Sequence, residues 1–261
     1  MAVSFKVKEL SYTYKQKDGS CGYKIELPEL ELNSGDVYAI TGVSGCGKST
    51  LLECLGLLRQ DFLAKKLSLD SYELSQLSSK EQCLVRSSLM GYMPQTGGLI
   101  PYLTIKENLK LQIEVSAASF YKLEGKTLDT KAMYHEVIEK MQKFSMDSLL
   151  DRYPHELSIG QRQRAVFLKT ISHNPKIVFI DEPTSSLDPE HGKILFESIV
   201  SLSRQLDMCA LVVTHDLELV KDFNLKSLHY EMVDTNKGRF VVDDGRLATP
   251  SNQSSEDNHD L

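Results

Sequence analysis

The sequence predicts an α/β fold organised on a mainly parallel core sheet, and three features predict it. Residues 37–41, 89–93, 177–181 and 210–214 are short apolar runs with the length and composition of strands buried on both faces. The segments between them carry helical apolar periodicity, the order of elements that a parallel sheet with crossover helices requires. The first run passes through closely spaced glycines into Leu51, Leu52, Leu55 and Leu58, so strand, glycine loop and helix follow one another directly.

The N-terminal part reads differently. Val3, Phe5 and Val7 alternate with Ser4, Lys6 and Lys8, and Tyr23, Ile25 and Leu27 alternate with Lys24 and Glu26. Both are half-buried strands of an N-terminal antiparallel β subdomain. Between Thr96 and Leu157 no strong strand occurs, which predicts an inserted α-helical subdomain over about residues 97–160, its outer surface a candidate docking site. Within it, Met133, Val137, Met141 and Phe144 form one apolar stripe that reads as core packing. Asp188 and Pro189 read as the N-cap and first position of a helix whose buried face is Ile194, Leu195, Ile199, Leu202 and Leu206. Residues 228–233 and 239–243 flank Asn236, Lys237 and Gly238, a hairpin pattern. Residues 249–261 are rich in Ser, Asn and Asp and predict a disordered polar tail behind a domain of residues 1–248.

Composition narrows the function classes. Hydrophobic content of 41% and charged content of 25% are ordinary for a globular chain, so neither disorder nor a fibrous repeat is the leading class for the whole chain. A formal net charge of −6 argues against a generally basic nucleic-acid-binding surface. The five cysteines are odd in number, scattered and free of CxxC pairs, so unpaired thiols in a reducing compartment are the expectation. No apolar run approaches the roughly 20 residues that cross a bilayer, and the N-terminus lacks a signal-peptide core. The expected location is cytoplasmic, with any membrane-spanning work done by another chain.

Gly42, Val43, Ser44, Gly45, Cys46, Gly47, Lys48 and Ser49, followed by Thr50, satisfy the phosphate-loop pattern G-x-x-x-x-G-K-[ST] between a strand and a helix. The glycines let backbone N–H groups converge on phosphate oxygens, and the helix N-terminus adds about half a positive charge at the same point. Lys48 is positioned to reach the β and γ phosphates, and the Ser49 hydroxyl to reach magnesium. Cys46 is either a reactive thiol beside the nucleotide or a small tolerated side chain. The apolar run 177–180 ends in Asp181 and Glu182, one carboxylate for magnesium and one to orient or deprotonate an attacking water.

Leu157, Ser158, Ile159, Gly160 and Gln161, continuing into Arg162, Gln163 and Arg164, resemble the LSGGQ signature of ATP-binding cassette (ABC) proteins. Ser186, Leu187 and Asp188 resemble that family's D-loop, His215 its switch histidine and Gln95 its Q-loop glutamine. Tyr14 resembles the aromatic that stacks on adenine, with Tyr12 a close competitor on the same strand. The resemblance spans residues 3–246 and implies a P-loop NTPase of the ABC type, an ATPase with ATP and Mg2+ as cofactors. It implies Glu182, His215 and Lys48 as catalytic residues and Ser49, Gln95 and Asp181 around the metal. Nucleotide contacts come from Tyr14, the 42–50 loop, Gln95, Ser158, Gly160, Gln161 and Asp188.

The same resemblance implies a head-to-tail dimer with a second copy of the chain, in which Ser158 and the Gly160 N–H close over the γ-phosphate in trans. It also implies a separate transmembrane permease, with no nucleic acid among the partners. Ile159 departs from the family pattern by placing a β-branched side chain where a signature glycine stands. Residues 99–109 resemble the LLP-x-LT-x-x-EN segment of cassettes serving lipoprotein-release, macrolide-export and cell-division complexes. From that branch the chain departs in the polar stretch after Leu58, which lacks the usual glycine-bearing strand pair, and in the 228–243 hairpin. The leading function is a transporter motor. The alternatives are a regulatory or mechanical cassette acting on a membrane complex without transport, and a soluble cassette of DNA repair or translation.

Overall fold

The structure is a computed structural model in which residues 2–15 and 21–243 are described; the predicted tail, 249–261, lies outside the described residues. Long strands open the chain, β1 (Ser4–Lys15) and β2 (Cys21–Asn33), followed by β3 (Val37–Thr41) and α1 (Lys48–Leu55). Next come β4 (Lys66–Leu69), β5 (Tyr72–Glu73), α2 (Ser79–Leu89) and β6 (Met90–Met93). Helices α3 (Ile105–Glu124), α4 (Thr130–Lys143) and α5 (Ile159–Ile171) lead to β7 (Ile177–Asp181) and α6 (Pro189–Gln205). The chain continues with β8 (Cys209–Val213), α7 (Leu217–Asp222), β9 (Lys226–Asp234) and β10 (Lys237–Asp243).

All ten strands join one sheet in the order β5-β4-β1-β2-β10-β9-β3-β8-β7-β6. From β9 to β6 the pairing is parallel, β9 and β10 form the expected antiparallel hairpin, and β2, β1, β4 and β5 are antiparallel. The antiparallel part is therefore continuous with the parallel core, fused where β10 runs parallel to β2 through residues 237–239. Strands β3, β7 and β8 are buried at every position, which is why they read as unbroken apolar runs. The pleat divides their side chains between two cores. Ile177, Phe179, Leu211 and Val213 face one shared with β1, β2 and α1, while Val178, Ile180, Ala210 and Val212 face one shared with α3, α4, α5 and α6.

Capping chemistry sets the helix limits. Thr104 and Glu107 form a reciprocal capping box at the start of α3, and Gly125 ends it in the left-handed conformation at φ 69°. Asp188 caps α6 through the His191 N–H, with Pro189 at its first position, as the sequence predicts. Met133, Val137 and Met141 are buried in the second core, as their stripe predicts.

Four local expectations are corrected. Leu58 lies beyond the end of α1 and is exposed, because Gly56 and Leu57 have already turned the chain. Ile194 and Leu206 are exposed rather than part of the buried face of α6, which is narrower and carried by Leu195, Ile199 and Leu202. Leu89 ends α2, and the strand starts one residue later. The stretch after Leu58 does hold a strand pair, β4–β5, whose turn uses Asp70 at φ 51° where glycine is the usual solution. The Asp70 carboxylate secures that conformation by accepting from the Ser4 N–H at 2.8 Å and pairing with Lys176. Among the described residues no helix is long and apolar enough to cross a membrane.

Candidate nucleotide site

Buried strand β3 delivers the chain at Thr41 into the 42–49 loop, and α1 begins at Lys48. Two glycines are required by geometry. Gly42 has φ 146°, and a Cβ there would lie 2.7 Å from the Tyr230 Cβ; Gly47 has φ 100°, and a Cβ would lie 3.0 Å from Ile25. Lys48 is buried, its Nζ donating to the carbonyls of Gly42 at 2.9 Å and Val43 at 3.0 Å, so the ammonium is held against the loop it closes. Cys46 is buried, and its thiol is pushed above the ordinary range by burial. Of the two readings of Cys46, the small tolerated side chain is the one the environment supports, since a reactive thiol needs a lowered value.

An open cleft of about 370 Å³ lies over the loop, lined by Tyr14, Ser44, Gly45, Gly47, Lys48, Ser49, Thr50, Gln95, Glu182 and His215. Its far wall is the end of β7. Ser49 Oγ donates to Asp181 Oδ1 at 3.0 Å, and burial holds the Asp181 carboxyl above the usual aspartate range despite that bond. Such hard, anionic and hydroxyl oxygens suit Mg2+, which takes few protein ligands and keeps its waters. The Ser49–Asp181 pair therefore fits a metal that shares phosphate oxygens.

Glu182 stands one residue beyond the strand at φ 44°, a left-handed conformation rare for glutamate, with its N–H donating to Val213 O at 3.1 Å. Gln95 Nε2 donates to Glu182 Oε2 at 2.8 Å, and His215 Nε2 lies 2.6 Å from Oε1. Glutamine and histidine thus grip both oxygens of one carboxylate at the mouth of the phosphate loop. On the opposite side Tyr14 donates from its hydroxyl to Thr50 Oγ1 at 2.7 Å, tying the first strand to α1. Tyr12 is buried beneath Arg59, whose guanidinium lies 5.1 Å from its ring centre, so Tyr14 is the tyrosine that faces the cleft.

The signature-like segment is elsewhere on the chain. Ser158 caps α5, its Oγ accepting from Gln161 N–H at 3.2 Å while Gln161 Oε1 accepts from Ser158 N–H at 3.0 Å. Gly160 lies against Leu187 and His191, which brings the signature beside the segment ending in Asp188. Ile159 projects outward, 56% exposed. None of Ser158, Gly160, Gln161 or Asp188 lines the cleft of its own chain.

The family model for the ABC transporter matches residues 26–185. The chain belongs to the ABC transporter family. It is similar to the lipoprotein-releasing system ATP-binding protein LolD of Buchnera aphidicola subsp. Schizaphis graminum, with 33% identity over 74% of this chain and 79% of that protein. It is also similar to the methionine import ATP-binding protein MetN of Campylobacter jejuni, with 34% identity over 77% of this chain, spanning 62% of that longer relative. Its fold is similar to that of the dimeric cassette MJ0796 of a bacterial ABC transporter, with a TM-score of 0.67, 25% identity, and coverage of 86% of this chain and 93% of that one. A post-hydrolysis state of the same cassette bound to ADP and Pi matches with a TM-score of 0.65 and 26% identity over 88% and 94% of the two chains.

The cassette is accordingly an ATPase that uses ATP with Mg2+. Of the residues its sequence singles out, the structure gathers Tyr14, the phosphate loop, Gln95, Asp181, Glu182 and His215 around one cleft and leaves the signature apart from it. Sequence reading missed Thr184, Ser185, Thr214 and Asp216, which line a second opening of about 360 Å³ on the other side of Glu182 and His215. Their signal was proximity alone, since each lies within two residues of a recognised motif residue.

Proposed function

We propose that two copies of the cassette, residues 1–248 of each, close head to tail around ATP and thereby drive a separate membrane-spanning permease from its cytoplasmic face. The observation that carries this reading is the split site. The cleft over Lys48 gathers the phosphate loop with Gln95, Glu182 and His215, yet it is open, and Ser158 and Gly160 stand at an exposed helix start away from it. A second copy supplies the missing cover, and ATP joins the two.

Within each half, Tyr14 stacks on the adenine and the 42–50 loop cradles the phosphates. Lys48 exchanges its contacts with the Gly42 and Val43 carbonyls for the β- and γ-phosphate oxygens. Ser49, Asp181 and Gln95 would hold magnesium, which would supply charge neutralisation at the phosphate oxygens. Glu182 orients the attacking water and accepts its proton, and His215 fixes that carboxylate and faces the γ-phosphate. In trans, Ser158, Gly160 and Gln161 close the cradle, and Asp188 carries the state of one site to the other.

After hydrolysis the contacts that bridged the halves through the γ-phosphate are gone, and the loosened dimer moves whatever is attached to the helical subdomain, residues 97–160. Similarity to a lipoprotein-release ATPase supports a transport motor over a soluble cassette. Glu182→Gln keeps the shape of the side chain and removes its charge, so the variant retains ATP binding, loses turnover and accumulates an ATP-bound dimer on size-exclusion chromatography. Wild-type turnover in that variant sinks the assignment of the base.

A further inference from the structure

The first turn of the phosphate loop depends on hydrogen bonds that are long or that nucleotide must displace. Its backbone bond from Cys46 N–H to Val43 O is long at 3.4 Å, and its lysine bonds back to carbonyls that nucleotide binding must free. The loop also rests closely on the surface beneath it. Gly42 is pressed against Tyr230 of β9, where a Cβ on the glycine would lie 2.7 Å from the tyrosine Cβ and 3.1 Å from Cys46 Sγ.

Tyr230 is itself locked from two sides. Its ring meets Phe240 of β10 edge-on with centroids 5.6 Å apart, and its hydroxyl pairs with that of Tyr23 on β2. Gly238 of β10 lies directly under both hydroxyls, and no Cβ fits there. A platform drawn from β2, β9 and β10 thus supports the loop where the antiparallel strands fuse with the parallel core.

We propose that Tyr230, paired with Tyr23, is a positioning residue for ATP binding that holds the loop backbone at Gly42 and Cys46 in its phosphate-receiving shape. The proposal rests on the reading of the 42–50 loop as the nucleotide cradle. Without the platform the loop spends part of its time in shapes that bind no phosphate, and a loop competent one-tenth of the time raises the apparent Kd about tenfold. Saturating ATP re-selects the competent shape, so the loss falls on KM and not on kcat.

The experiment titrates ATP into the full-length chain and measures steady-state hydrolysis for Tyr230→Ala. Val137→Ala serves as a destabilised variant remote from the loop, and Lys48→Ala as a test of the cradle itself. The expected result is a Kd and KM raised about tenfold in Tyr230→Ala, kcat within about twofold of wild type, and no shift in Val137→Ala. If Tyr230→Ala does not fold, Tyr230→Phe decides, with a rise in Kd of about threefold expected from loss of the hydroxyl pair. A wild-type Kd in the deciding variant, or a rise matched by Val137→Ala, overturns the positioning role while Lys48→Ala still loses ATP. Wild-type ATP affinity in Lys48→Ala overturns the cradle and the platform together.

Discussion

Lys48, Asp181 and His215 carry three separable tests at the scale of single side chains. Lys48→Ala removes charge-assisted contacts worth about 1.5–3 kcal/mol each, so ATP affinity measured by calorimetry falls by at least about tenfold. His215→Ala leaves ATP affinity near wild type and slows steady-state hydrolysis by about 100-fold or more, the lower range for positioned acid–base groups. Asp181 is a carboxylate whose burial raises its pKa, so its ionised form is disfavoured in the fold and stability declines as pH rises through that raised value. Asp181→Asn therefore raises Tm at neutral pH in the absence of nucleotide while abolishing Mg2+-dependent hydrolysis. A lowered Tm in that variant contradicts the burial argument. Most of these residues were legible because phosphate chemistry demands fixed spacings in the loop and at the strand end. Tyr230 was not legible, since its role depends on a glycine 188 positions earlier in the chain, and no local pattern marks it.

Helix α5 shows how one element serves two ends. Ser158 is its N-cap and also the residue assigned to the partner's γ-phosphate. Ser158→Ala therefore removes a cap worth about 1 kcal/mol and lowers Tm modestly. Ser158→Asp, which keeps a capping side chain but sets a negative charge against the phosphate, preserves Tm and blocks ATP-driven dimer formation. A stable Ser158→Asp variant that still dimerises with ATP contradicts the trans role. The central strands β3, β7 and β8 were readable because strands buried on both faces are apolar throughout. The β4–β5 pair was not, because Asp70 takes the left-handed turn position that a reader assigns to glycine. Ile194 shows the limit of periodicity: it lies at the edge of an amphipathic face, and only packing decides which edge residues are covered.

For the whole molecule, the parallel core and the β1, β2 and β9–β10 strands were predictable and the junction between β10 and β2 was not. The contact between β10 and β2 joins residues more than two hundred positions apart through three residue pairs, a non-local register that neither strand's alternation specifies. That junction sets the antiparallel strands under the phosphate loop, so the platform and the cleft belong to one continuous sheet. The signature face, by contrast, is completed by a second molecule in the proposed reading. Subunit mixing tests that claim most directly: Lys48→Ala chains and Ser158→Asp chains, each inactive alone, are combined and their ATPase activity measured. If the sites are shared, a mixed dimer keeps one site with an intact loop and an intact signature, and activity returns to a substantial fraction of wild type. If each chain completes its own site, the mixture stays as inactive as its components, and the account is contradicted.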